Sequence, residues 1–163
     1  MRSMMSTFAR RIAALVPALC IAATGAALAV DTPPKKDAPD LTAIRAKIKA
    51  KEFAAARDEL FKLVNTHEHP DVFNLLGFSL RKTGDQKNAM TYYGKALDFD
   101  PNHKGALEYQ GELFVELKQI DRAKENLARL VKLCPTGCEE REDLEKAIAS
   151  ASSGAKSDAP KTN

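Results

Sequence analysis

No glycine-rich phosphate loop, no serine or cysteine elbow after a strand and no cluster of metal-ligating side chains interrupts this sequence of 163 residues. Those absences remove the local signatures of nucleotide binding, nucleophilic hydrolysis and a closed zinc site, so no enzyme and no cofactor is expected. The only histidines, His67, His69 and His103, fall in turn-like stretches far from the cysteines. A three-histidine metal site can be drawn from them, but solvated polar turn residues are the simpler reading, and no metal site is assigned. An excess of positive charge is missing too. The formal charge is +3, yet Arg2, Arg10 and Arg11 are the only charges before Asp31, and without them 22 basic residues face 22 acidic ones. A phosphate binder needs a basic footprint, so no nucleic-acid partner is expected.

Charge of either sign is also absent from Ile12 to Val30. Basic Arg10-Arg11, the apolar run Ile12 to Ala23 and the small residues ending at Ala27-Leu28-Ala29 follow the plan of a signal peptide, residues 1–29, cut after Ala29. The stretch approaches a bilayer span, so a retained anchor is the alternative. Its alanine content, Pro17, Gly25 and the small-x-small ending favour cleavage, and with it a periplasmic protein without stable membrane insertion. A lipoprotein reading of Cys20 lacks the small residue that should precede it, and a twin-arginine reading of Arg10-Arg11 lacks the following aromatic. Loss of the signal removes Cys20 and leaves the pair Cys134 and Cys138, whose turn Pro135-Thr136-Gly137 can bring them together. An oxidising compartment favours a disulfide; free thiols, or metal and redox use of the pair, remain open.

What is present is helical. Hydrophobic residues make up 44% and charged residues 29% of the chain, enough apolar surface for a core. Residues 30–40, rich in proline, lysine and aspartate, read as a disordered linker, and residues 152–163 as a disordered tail. Between Leu41 and Ala151 apolar residues recur at helical spacing. Gly77 and Gly111, Ala89 and Ala123, Tyr93 and Leu127, and Pro101 and Pro135 are each separated by 34 residues, and Phe73 with Leu107 and Leu80 with Phe114 agree in type at that period. Gly77 and Gly111 give up about 1 kcal/mol of helix propensity, which close helix packing can offset. Ala89 and Ala123 serve the second helix of each unit, Asp85 can cap one, and the prolines stop them. Glu139 to Ala149 reads as a further helix with Leu144, Ala147 and Ile148 on one side and a solvated acidic face on the other.

These residues resemble the tetratricopeptide repeat family. Phe73, Leu76, Gly77, Leu80, Ala89, Tyr93, Ala96 and Pro101 fall on its signature positions, as do Leu107, Gly111, Phe114, Ala123, Leu127, Leu130 and Pro135. Gln110 departs from them, standing where the family has an aliphatic residue. The resemblance implies an all-α solenoid of antiparallel helix hairpins: a degenerate first repeat at 41–69, repeats at 70–103 and 104–137, and a capping helix at 138–151. It also implies an adaptor whose first helices line a groove for a partner peptide or helix. Asp71, Asn74, Phe78, Arg81 and Lys82 from one unit, with Glu108, Glu112, Val115 and Glu116 from the next, are the partner-binding residues it points to, a basic flank facing an acidic one. Leu41, Leu75, Gly105 and Tyr109 stand where the family's carboxylate-clamp members carry Lys, Asn, Lys and Arg, which argues against that subclass. Two other roles stay open: a periplasmic metal carrier or redox accessory using Cys134 and Cys138, and the soluble arm of a membrane-anchored complex.

Overall fold

A computed structural model describes residues 38–157, and the expected signal segment 1–29 lies outside them. Seven helices follow one another: α1 (Thr42–Lys49), α2 (Phe53–Leu63), α3 (Pro70–Lys82), α4 (Gln86–Phe99), α5 (Lys104–Glu116), α6 (Ile120–Leu133) and α7 (Glu139–Ser157). Among the described residues there is no strand. The pairs α1–α2, α3–α4 and α5–α6 pack as hairpins, each second helix touches the next first helix, and α7 packs on both α5 and α6. This is the α-solenoid that the 34-residue period implies.

Local chemistry sets the ends of these helices. Asp85 caps α4 by accepting from the Asn88 N–H at 3.1 Å. His69 and His103, themselves one period apart, cap α3 and α5 with Nδ1, which accepts from the N–H groups of Asp71 at 3.2 Å and Ala106 at 3.0 Å. The turn inside each hairpin needs a left-handed residue. Gly84 supplies it with φ +91°, whereas Lys51 and Lys118 take φ 62° and 59° at the corresponding places, where a Cβ is unfavourable. That turn makes the first unit, without a glycine in its first helix, recognisable as a hairpin of the same kind.

The core runs along the stack. Ile44, Ala56, Leu60, Val72, Leu76, Leu80, Ala89 and Tyr93 form its first part, and Leu113 of α5 joins them. Leu107, Phe114, Ala123, Leu130, Leu144 and Ile148 form the second. Burying one such leucine contributes about 1.5–3 kcal/mol, so the stack rather than any isolated hairpin supplies the stability. Both signature glycines are points of close approach. A Cβ on Gly77 would lie 2.7 Å from the Tyr93 ring, and one on Gly111 2.6 Å from Leu144 Cδ2. The second contact differs from the first in kind: Gly77 meets its own hairpin partner α4, whereas Gly111 meets the capping helix.

Two details differ from expectation. The tail 152–163 is helical as far as Ser157, because the alanines at 147, 149, 151 and 155 favour helix. Ser152 Oγ donates back to the Ile148 carbonyl one turn earlier, at 2.9 Å. Gln110, the departure from the family pattern, finds a polar partner: its Oε1 accepts from Asn126 Nδ2 at 3.0 Å, and the same amide donates to the Leu107 carbonyl at 3.0 Å. Asn126 is thereby buried with its donors satisfied.

Candidate functional site

Helices α3 and α5 are one repeat apart and touch each other, so their outward-facing side chains meet across a shared face. Arg81 of α3 reaches across it. Its Nη1 donates to Glu112 Oε2 at 2.6 Å, its Nη2 and Nε to Glu116 Oε1 at 2.7 and 2.9 Å, and only 7% of its side chain is exposed. Burial alone would lower the Arg81 pKa, but the hydrogen bonds to Glu116 and Glu112 outweigh it and hold the guanidinium above its ordinary value. The basic flank expected at Arg81 and the acidic flank expected at Glu112 and Glu116 therefore close on one another. The three form a tie between successive repeats, a pairing invisible while each helix face is considered alone.

Beside this tie lies an aromatic row. Phe78 is half-buried, with its ring centroid 4.7 Å from Tyr109 and 5.9 Å from Phe53 of α2. Lys82 Nζ stands 5.2 Å over the Phe78 ring, a cation–π contact that leaves the ammonium in water. Tyr109, reached by the sequence only as a position where the clamp arginine is missing, carries a phenol pushed up to about 12 by burial and then by Glu108 and Glu112. Val115 is partly buried against the second core.

The other end of the face is polar. Asp71 accepts from His103 Nε2 at 3.0 Å and pairs with Arg45 of α1 at 3.6 Å. The His103 hydrogen bond, followed by the opposing cost of burial, leaves the Asp71 carboxyl below its usual range. His103, expected as a solvated turn residue, is 14% exposed and joins the two repeats through its bond to Asp71. Asn74 is 5% exposed and Glu108 7%. Among the described residues no hydrogen bond reaches the Glu108 carboxyl, and its pKa is pushed up to about 8 by burial and then by Glu112, Asp143, Glu140 and Glu139. The last three belong to α7, read from the sequence as a solvated acidic face. Together with Asp71, Asn74, His103 and Glu108 they line a cleft of about 300 Å³.

Cys134 and Cys138 face each other across the turn before α7, with 6.0 Å between their Cα atoms. Arg141 Nη1 donates to the Pro135 carbonyl at 3.3 Å over the same turn. Among the described residues no three His, Cys, Asp or Glu side chains are grouped to hold a metal ion, and no helix is long and apolar enough to cross a membrane.

Stacked hairpins presenting a continuous side-chain face define a helical-repeat protein of the kind that binds other proteins. Residues 70–103 and 106–137 each match the tetratricopeptide repeat family, so this part of the chain is built of two such repeats. Over 86 residues the chain is also 29% identical to the BBSome complex member BBS4 of Bos taurus. That stretch takes in 53% of this chain and only 17% of the bovine protein, so the chain spans a small part of that relative's length.

Proposed function

We propose that this protein is a non-catalytic periplasmic adaptor that holds a segment of another protein along the face shared by α3 and α5. The observation that carries the reading is the half-buried aromatic row Phe53, Phe78 and Tyr109. Tetratricopeptide repeats imply protein partners, and rigid aromatic rings bordered by polar groups are the surface on which binding energy concentrates. Arg81, Glu112 and Glu116 hold that surface in place rather than contact the partner. Asp71, Asn74, Phe78, Lys82 and Glu108 remain as residues that face it. The bovine relative is, by its name, a member of an assembly, which agrees with an interaction role for the shared repeats.

Export is supported by the signal-like segment ending at Ala29 and by the Cys134–Cys138 pair, since a disulfide of this kind persists where thiols are oxidised. The closed loop fixes the turn from which α7 leaves, a structural use that requires no metal or redox partner. Affinity capture from periplasmic extract, with wild type beside a Phe78→Ala, Tyr109→Ala variant, tests the adaptor role. A partner retained by wild type and lost by the variant is the expected result; identical capture lists would move the binding surface elsewhere. Amino-terminal sequencing and the intact mass of the exported protein test the rest. Val30 at the new terminus and a mass two protons below the reduced value are expected, whereas a retained segment 1–29 would make the chain the arm of a membrane-anchored complex.

A further inference from the structure

The polar cleft between α3, α5 and α7 has acceptors that the protein leaves without donors. Asn74 lines it, almost wholly buried, and its Oδ1 has no hydrogen-bond partner among the described residues. The carboxyl of Glu108, also in its lining, makes no ion pair among the described residues. Two cationic candidates stand nearby and both are already engaged. Arg45 pairs with Asp71 at 3.6 Å, and His103 is the neutral tautomer, since its Nδ1 accepts from the Ala106 N–H while Nε2 donates to Asp71. Of the α7 carboxylates, Glu139 and Glu140 suit the positive end of a helix dipole, and Glu140 meets Lys104 at 3.6 Å. Asp143 stands a turn further on, past the reach of that dipole. A buried acceptor left unmatched is costly, and here one, Asn74 Oδ1, shares a cleft with carboxyls that lack a cation of their own, which makes the cleft a site waiting for a donor that also carries positive charge.

We infer that this cleft receives one cationic side chain, a lysine or arginine, of the partner segment bound along the α3–α5 face. The inference rests on the adaptor reading and adds to it the chemistry of one partner residue. An ammonium or guanidinium brings several donors, enough for Glu108, Asn74 and Asp143 together, whereas a metal ion lacks a grouped ligand set among the described residues. Tyr109 lines the cleft and also packs on Phe78, so a chain lying on the aromatic row can place its next side chain there. Glu108 must lose its proton to pair with the guest. Facing it are Glu112 and Tyr109 on α5 with His103 at its start, Asp143, Glu140 and Glu139 on α7, Asp71 on α3 and Arg45 on α1, and binding tightens as pH rises through the value of about 8 that burial and then Glu112, Asp143, Glu140 and Glu139 impose.

The test uses two capped pentapeptides, Ala-Ala-Lys-Ala-Ala and its counterpart with the neutral isostere norleucine, titrated into the nitrogen-15-labelled chain and followed by amide chemical shifts. Saturable shifts at the Asn74 side-chain amide and Gly105 with the lysine peptide, at least about ten-fold weaker with norleucine, are expected. Glu108→Gln and, separately, Asp143→Asn should each weaken the lysine peptide about five-fold or more, while Asp121→Asn, on the exposed face of α6, should leave it unchanged. Thermal melts confirm that each variant is folded. Equal binding of the two peptides, or full affinity in both cleft variants, would overturn the inference. Cadaverine binding as tightly as the lysine peptide would also overturn it, by assigning the cleft to a free diamine. Because the adaptor role is read from capture that depends on Phe78 and Tyr109, a partner captured normally while the lysine peptide fails removes only the cleft assignment.

Discussion

Glu108 sits 7% exposed, with four carboxylates in electrostatic reach and no ion pair of its own among the described residues. Its pKa of about 8 in the fold lies above the ordinary value of 4.5, so between those pH values the native state holds a proton that the unfolded chain releases. Stability from this group is therefore full below about pH 4.5 and is lost progressively as pH rises toward 8. Glutamine keeps the shape and removes the ionisation. Glu108→Gln should raise stability by roughly 1–2 kcal/mol at about pH 8.5, less than a full conversion of the shift because the cleft is open to water, and by almost nothing near pH 5. Urea unfolding at both pH values checks this. An offset of equal size at the two would mean that Glu108 is not protonated in the native state. Little of this was legible in the sequence. The spacing of Glu108 put it on the face of α5 with Glu112 one turn further on, but the other three carboxylates that act on it come from α7, some thirty residues away, through a packing contact that no local pattern encodes.

At the scale of the helix, the two signature glycines were legible because glycine inside a helix gives up propensity, and its return at a fixed period marks a repeated close approach. Which neighbour each one meets was not. A Cβ added at Gly77 would meet the fully buried Tyr93 ring and, at 3.2 Å, the Ala89 carbonyl, so an added methyl has nowhere to go. The three atoms nearest a Cβ added at Gly111 all belong to the branched end of Leu144. Gly77→Ala should accordingly cost about 2–3 kcal/mol, and Gly111→Ala less. In the background of Leu144→Ala the Gly111→Ala change should become neutral or favourable, because the obstacle is gone and alanine has the better helix propensity. A double-mutant cycle from chemical denaturation measures that coupling. The hairpin turns offer a change of opposite sign. Lys118 takes φ 59° where the middle repeat has Gly84, and Lys118→Gly should stabilise by about 0.5–1 kcal/mol, read as a higher melting temperature. The same substitution at Lys124, inside α6, should destabilise by about as much.

The stack as a whole depends on contacts between neighbouring repeats, and Arg81 makes a polar one that joins α3 to α5 directly, beside the Asp71–His103 bond at the start of α5. Without it, Glu112 and Glu116 would stand unpaired beside Glu108, so the loss is larger than that of one surface ion pair. Arg81→Ala should cost about 2 kcal/mol, somewhat below the range for a fully buried pair because Glu116 is 40% exposed. Its more telling effect is on cooperativity. A repeat array unfolds as one unit only while the interfaces between repeats outweigh the differences between them. Weakening the α3–α5 junction should let the C-terminal part, α5 to α7, open before α1 to α4, with a lower denaturant slope and with amide exchange in α5 and α6 faster than in α3 and α4. Leu113, which reaches from α5 into the first core, limits how far the halves separate. Adding Leu113→Ala to Arg81→Ala should therefore resolve two transitions where wild type shows one. A single steep transition in the double variant would place the coupling in the apolar contacts of α4 with α5, and the charged tie would then serve only to orient the aromatic row.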